Sequence, residues 1–461
     1  MHRSGHMVAA FDTLSKITDR FTKNLRGRWN DNFTKKQMSD FLSNTCMGYL
    51  YSYGEDFPNR KRLDKYNAGR YRIFRKARET RLFDNANFIA DSGGFQISIG
   101  KLTKKESETL VHLYYDFLRE YHHILQYAFI LDVPPGNNCQ VFDSFDDVYR
   151  MNLESYLTAR SFPDELRKKI IYIHHFRTPK LWDIYTRILR ENEMFPMFDY
   201  FGTGGVVANL QGDLLIPCII YILPLIPLLN ECKKYGRKEM KFHILGGASY
   251  RDMFFYELFS RCIEKAHGIK VKFTYDSTAL FKQVMSARYL HVEDNVGNII
   301  KMEFKSHQVD LRFYDGMTVS DTVQRAVDHL ADSIGIKRIS VDGLYDPALG
   351  TLHDDIRVYT MMYILLKFSD VEVMLKDFVD RIYPLYESGD HDLFYEQAFP
   401  MMVKLNQGKL TKKQTIKTGS IVHSLDMLKS LDEDECKYVV NKYLSKDEFT
   451  TLLKRGRVLT V

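Results

Sequence analysis

What most constrains this chain is a recurrence. Short, continuously apolar runs lie near residues 88, 127, 170, 199, 241 and 271, each followed by a segment patterned for a helix. Runs such as Tyr127-Ala128-Phe129-Ile130-Leu131 and Ile170-Ile171-Tyr172-Ile173 do not alternate polar with apolar residues. A strand wet on one face would alternate, so these read as strands buried on both faces, as in a parallel sheet covered by helices. The intervening segments supply the crossovers. Lys104 to Gln126 carries Leu110, Leu113, Tyr114, Phe117 and Leu118 at helical spacing, and the segment 143–160 opens near Ser144 with Asp146 and Asp147 in its first turn. Further helices are expected over 178–193 and 250–266. With Cys46–Tyr53 the strands number seven, and an eighth is expected upstream. The expected fold is α/β, a (β/α)8 TIM barrel, with a doubly wound open sheet as the alternative.

The barrel is expected over 46–300, behind a helical segment at 1–45 in which Phe11, Leu14, Ile17 and Phe21 share a face. Leu214 to Leu229 is very apolar, but 16 residues interrupted by Pro217, Pro224 and Pro227 suit a core-facing helix better than a membrane span. Val292–Phe304 alternates through Gly297-Asn298 and reads as a hairpin. The remainder, 301–461, reads as mostly helical, with a basic linker at Lys404–Lys417.

Charge is unevenly spread. Residues 1–81 hold 18 Lys and Arg against 8 Asp and Glu, a surplus of ten against a whole-chain net of +6, which leaves the remainder near −4. The basic residues concentrate at Arg60, Lys61, Arg62, Lys65, Arg70, Arg72, Arg75, Lys76, Arg78 and Arg81, interleaved with Tyr66 and Tyr71. Such a segment is either a solvated helix face or a contact for a phosphate backbone. The six cysteines are scattered without any CxxC, which points to reduced thiols and a cytoplasmic protein rather than a disulfide framework or a zinc site. The start, Met1 to Met7, has no apolar h-region, so no signal peptide is expected.

The strand ends carry the chemistry. Phe88-Ile89-Ala90 runs into Asp91-Ser92-Gly93-Gly94-Phe95-Gln96, where two glycines let backbone approach a flat ligand and Gln96 offers an amide. Two further strands end in Asp132 and Asp276, and others end in Gly204-Gly205 and Gly246-Gly247. Each feature alone suits a loop or a helix cap. Their repetition on successive strand ends, which face the active site in a barrel, points to a shared pocket. The pairs His122-His123 and His174-His175 do not read as metal ligands, because adjacent strand residues face opposite ways.

These residues resemble the tRNA-guanine transglycosylases and their DNA-modifying relatives, over roughly 46–285. Asp91 to Gln96 is similar to that family's base-binding DSGGFQ, and Ile130-Leu131-Asp132 to the strand whose aspartate reads the guanine edge. Thr203-Gly204-Gly205-Val206 resembles the family's IGGL, His243-Ile244-Leu245-Gly246-Gly247 its YLMGVG, and Phe273-Thr274-Tyr275-Asp276 the strand of the nucleophile. The resemblance implies a TIM barrel that exchanges guanine for a 7-deazaguanine such as 7-cyano-7-deazaguanine. It implies Asp276 as nucleophile and Asp91 as general acid/base. The base would be held by Ser92, Gly93, Gly94, Phe95, Gln96, Asp132, Gly204, Gly205, Val206, Gly246, Tyr275, and either His174 or His175 in place of the family's glutamine. Arg60, Lys61, Arg62, Arg70, Arg72, Arg75, Lys76 and Arg78 would hold nucleic-acid backbone.

The sequence departs from the family in three places. Val133 follows Asp132 where glutamate is usual, Ser277-Thr278-Ala279 replaces PTR, and the CxCxxC zinc site is missing, Cys436 being the only cysteine beyond Cys262. Zinc-less members of this kind resemble the DNA 7-deazaguanine transglycosylases of phages and bacterial modification clusters. The implied partners are DNA and the free base, with no membrane, no cofactor, and a homodimer or accessory proteins as further expectations. The alternatives are tRNA as the substrate, a non-catalytic nucleic-acid-binding partner subunit, and an unrelated barrel glycosidase.

Overall fold

The computed structural model describes residues 5–8, 40–41, 44, 48–53, 88–98, 102–133, 145–176, 179–204, 220–276, 289–293, 299–303, 319–335, 338, 340, 345–346, 351–352, 354–406 and 419–441. Two short strands come first, β1 (His6–Val8) and β2 (Gly48–Ser52). Six more build a curled, all-parallel sheet: β3 (Phe88–Asp91), β4 (Leu125–Phe129), β5 (Ile170–His174), β6 (Tyr200–Thr203), β7 (Glu239–Ile244) and β8 (Lys270–Asp276). β2 pairs with β3, and β1 pairs in parallel with both β2 and β8, so neighbours follow chain order throughout. A doubly wound sheet would reverse its strand order at a switch point, and this order never reverses.

Crossover helices fill the gaps between the six strands. α1 (Gly94–Ser98) and α2 (Lys104–Tyr121) follow β3, and α3 (Phe145–Arg160) with α4 (Asp164–Arg167) follows β4. α5 (Pro179–Glu191) and α6 (Met194–Met197) follow β5, α7 (Leu225–Lys234) follows β6, and α8 (Tyr250–His267) follows β7. Local sequence sets several of the ends. Thr103 and Glu106 form a reciprocal capping box on α2, Ser249 and Asp252 another on α8, and Gly268 ends α8 at φ 62°. Helix α2 is shorter than the expected 104–126, because the chain turns at His122–Ile124 and is already extended from Leu125. In the apolar stretch Ile220–Leu229 every residue is buried in the core, and among the described residues no helix is long and apolar enough to cross a membrane.

The interior of the curl is identified by contacts between strands that are not neighbours. The Phe129 ring on β4 meets His243 on β7 edge-on at 4.9 Å, and Tyr127 meets Tyr200 on β6 at 5.0 Å. Lys241 Nζ on β7 donates to Tyr127 Oη at 2.6 Å. Strands two and three places apart can touch in this way only across the enclosed side. Residues of the other parity face the helices, as Phe273 does when it stacks on Tyr256 of α8.

β1 falls inside the segment expected to be helical; it lies upstream of β2 and pairs with β2 and β8. The residues of the expected helical face, Phe11 to Phe21, lie outside the described ones. Beyond the sheet, β9 (Tyr289–Glu293) and β10 (Ile299–Glu303) pair antiparallel, in keeping with the expected hairpin. The two-residue strands β11 (Tyr345–Asp346) and β12 (Thr351–Leu352) pair likewise. Among the described residues the helices α9 (Val319–Ile334), α10 (Asp354–Glu387), α11 (His391–Leu405), α12 (Gly419–Ser430) and α13 (Glu433–Val439) follow. α10 lies along α8, with Tyr250 against Phe368 and Arg261 paired to Asp380 at 2.8 Å. Glu372 of α10 accepts the Gly5 N–H at 2.8 Å and the Tyr275 hydroxyl, which ties the C-terminal helices to β1 and β8.

Candidate functional site

Three aspartates stand at C-terminal strand ends of one sheet, and each has different surroundings. Asp91 closes β3. Its carboxylate is pushed up to about 6 from an ordinary 3.8, first by burial and further by the negative charges of Asp276 and Asp132, against the opposing pull of the Ser52 hydroxyl and the Gly93 N–H. Ser52 is the residue of β2 paired in register with Asp91. The turn after it is built by the glycines. Gly93 has φ 87°, a conformation that disfavours side chains, and a Cβ on Gly94 would overlap the carbonyl oxygen of Asp132. Ser92 is buried and accepts the Gly94 N–H at 3.4 Å.

Asp132 sits on a backbone held from both sides. Asn152 of α3 accepts the Val133 N–H at 2.7 Å and donates to the Val133 carbonyl at 2.9 Å. Ser155 donates to the Leu131 carbonyl, whose N–H bonds to the Tyr115 hydroxyl. Buried Asn and Ser in α3 are costly unless they have partners of this kind. The Asp132 carboxylate then meets His175, with Oδ2 2.9 Å from Nε2 and both side chains buried.

Asp276 ends β8. Its Oδ1 accepts the Gly246 N–H at 2.8 Å and lies 3.2 Å from His243 Nε2. Gly246 has φ 80°, which turns its N–H onto the carboxylate. His243 is fully buried; its Nδ1 lies 2.9 Å from Thr274 Oγ1, which in turn bonds to the Tyr200 hydroxyl. Gly202 on β6 makes room for it, since a Cβ there would come within 2.9 Å of the His243 carbonyl oxygen and 3.1 Å of its Cβ.

The expected residues thus divide. Asp91, Asp132 and Asp276 share one end of the sheet, with Ser92, Gly93, Gly94 and His175 beside them; Gln96 is buried on α1, and Gly204 faces His175 Cε1 at 3.6 Å from its would-be Cβ. Of the two histidines, His175 joins the carboxylates. His174 has the opposite parity and lies buried on the helix side, where burial lowers it to about 3. Tyr275 also faces outward, against Tyr256, Phe368 and Glu372, so it is not placed to close over a ligand held by Asp276. Gly246 serves the Asp276 carboxylate through its N–H. The Phe95 side chain, Gly205, Val206 and the basic residues Arg60, Lys61, Arg62, Arg70, Arg72, Arg75, Lys76 and Arg78 lie outside the described residues.

His243, Thr274 and Tyr200 were not among the expected site residues. Parity contained the signal, because Thr274 and Asp276 share a face of β8 and His243 is paired in register with Thr274. A cavity of about 1130 Å³ opens at the other end of the sheet, lined by Tyr127, Tyr200, Lys241 and Glu239 among others, and its described lining includes none of the three aspartates. The carboxylates, which carry chemistry, define the candidate site. Among the described residues no group of three or more His, Cys, Asp or Glu is arranged to hold a metal ion. No protein-family model matches the chain, and a search of curated proteins finds no match.

Proposed function

We propose that the chain is a (β/α)8 TIM-barrel DNA-guanine transglycosylase, which exchanges guanine in DNA for a 7-deazaguanine through a covalent aspartyl-glycosyl intermediate. The observation that supports this best is the differentiation of the three carboxylates. Asp91 holds its proton to about 6, Asp132 is paired to His175, and Asp276 has one oxygen bound by Gly246 and His243. Chemistry that needs one acid and one nucleophilic carboxylate at the same carbon requires carboxyl groups set apart in this way.

In the first half-reaction Asp276 attacks C1′ and the C1′–N9 bond breaks, with its electron pair going to the base. Asp91 supplies the proton that lets guanine leave neutral and becomes a carboxylate. In the second, the incoming base gives its N9 proton to Asp91 and attacks C1′, and the bond to Asp276 breaks to restore the carboxylate. Asp132, with Oδ2 engaged by His175, presents Oδ1 to the N1–H and exocyclic amine of the base. A base within a duplex cannot reach three carboxylates at a sheet end, so the nucleotide would be flipped out or single-stranded.

The test is exchange of labelled 7-deazaguanine precursor into DNA or tRNA. The expected result is incorporation into DNA that Asp276→Ala abolishes while polymer binding persists. Full exchange by that variant would remove Asp276 as nucleophile, and incorporation into tRNA alone would transfer the activity to that polymer.

A further inference from the structure

A single file of hydrogen-bonding groups runs inside the curled sheet to Asp276: the Tyr200 hydroxyl, Thr274 Oγ1, His243 Nδ1, His243 Nε2 and Asp276 Oδ1. Its direction follows from counting hydrogens. Asp276 as a carboxylate can only accept, so Nε2 must carry hydrogen toward it. Among the described residues the Tyr200 hydroxyl has one hydrogen-bond partner, Thr274. Burial pushes the Tyr200 phenol far above its ordinary range, so that hydroxyl keeps its hydrogen and donates it. Thr274 Oγ1, having accepted from Tyr200, gives its own hydrogen to Nδ1. In this arrangement every hydrogen in the file has an acceptor. An imidazolium would leave one hydroxyl hydrogen, that of Thr274 or that of Tyr200, without an acceptor in the file.

From this geometry we propose that His243 is a positioning residue for Asp276. The Tyr200–Thr274 pair sets its Nε2–H tautomer, and Nε2–H with the Gly246 N–H fixes Oδ1, which leaves Oδ2 as the attacking oxygen. The attack itself rests on the function proposed above; the tautomer does not.

The ring is held rigidly enough for such a role. His243 is fully buried, Phe129 meets it edge-on at 4.9 Å, and Gly202 lies against its backbone. Two donors on one carboxylate oxygen stop rotation about χ2. They also draw charge toward Oδ1, so the other oxygen meets C1′ at a set angle, which is the way orientation accelerates a displacement.

Two readouts test the proposal. In the full chain labelled with ¹⁵N-histidine, with the His243 signal assigned by its loss in His243→Gln, the expected pattern is a hydrogen on Nε2 and a bare Nδ1 at neutral pH. A hydrogen on Nδ1 overturns the proposal. The second readout is the rate of covalent adduct formation with guanine-containing DNA in a single turnover. His243→Phe keeps the ring's shape without the donor and is expected to slow that step on the order of 100-fold with DNA affinity unchanged. His243→Gln keeps a donor near Nε2 and is expected to recover most of the rate. Equal loss in both variants, or loss in neither, overturns the positioning role. If wild-type protein forms no adduct with DNA or tRNA, the functional reading fails, while the nitrogen pattern still decides the tautomer.

Discussion

Gly94 packs so closely on the carbonyl of Asp132 that a Cβ at that position would overlap the oxygen and stand 2.7 Å from the carbonyl carbon. The start of α1 and the loop after β4 therefore touch backbone to backbone, and the turn carrying Asp91 is registered directly on the loop carrying Asp132. Gly94→Ala must push the two apart. Because the obstacle is backbone, with no flexible side chain to move aside, the expected loss is about 3 kcal/mol or more, at the upper end of overpacking costs. Denaturant unfolding measures it, and a variant as stable as the parent would refute the contact.

Asn152 holds the Asp132 loop from the other side. Asn152→Ala leaves the Val133 N–H and carbonyl without their partner, each a buried group worth roughly 1–3 kcal/mol when unsatisfied. Stability is expected to fall by about 2 kcal/mol or more. On the proposed function Asp132 holds the base without bonding to it covalently, so the Michaelis constant for the base should rise with little change in adduct formation from saturated enzyme. A normal Michaelis constant in a destabilised variant would separate the loop's structural role from recognition.

Asp91 predicts a pH dependence of definite sign. Its proton is held to about 6, so under the proposed reaction formation of the covalent adduct, which would consume that proton, should fall tenfold per pH unit above 6. Asp91→Asn should remove this limb and slow the step by about 10² to 10⁴. In stability the folded protein binds the Asp91 proton more tightly than the unfolded chain does. Its contribution is therefore full below 3.8 and is lost as pH rises through 6. A single-turnover profile flat between pH 5 and 8 would contradict the assignment.

Glu257, on α8 facing α10, gives a second titration away from the site. Burial raises it from 4.5 to about 7, helped by the neighbouring charges of Glu372 and Asp380 and opposed by Lys376 and Arg261. The folded protein again holds the extra proton, so this stabilisation is full below 4.5 and is lost as pH rises through 7. The Asp91 contribution is largely spent by 6, so the fall in melting temperature between pH 6 and 7 should flatten in Glu257→Gln. An unchanged slope in that variant would place the titration elsewhere.

The three aspartates, the glycine turns and the parallel strands were legible because each is local. A two-face-buried strand shows as an unbroken apolar run, and an acid followed by glycines shows as a strand end. Sequence by itself therefore determined the α/β class, the chain order of strands and helices, and the candidate carboxylates Asp91, Asp132 and Asp276. It did not reveal β1, whose three residues are too few for any periodicity. That strand exists because β2 and β8 leave parallel edges for it to pair with. Nor did sequence separate His174 from His175, or show Tyr275 facing the helices while His243 reached Asp276. Those outcomes depend on which face of the curl each strand turns inward, and that face is set by contacts between residues far apart in the chain, such as Phe129 with His243. The nature of each carboxylate was likewise a tertiary matter. An aspartate's proton affinity depends on its burial and on neighbouring charges, and here those neighbours arrive from strands more than 40 residues away.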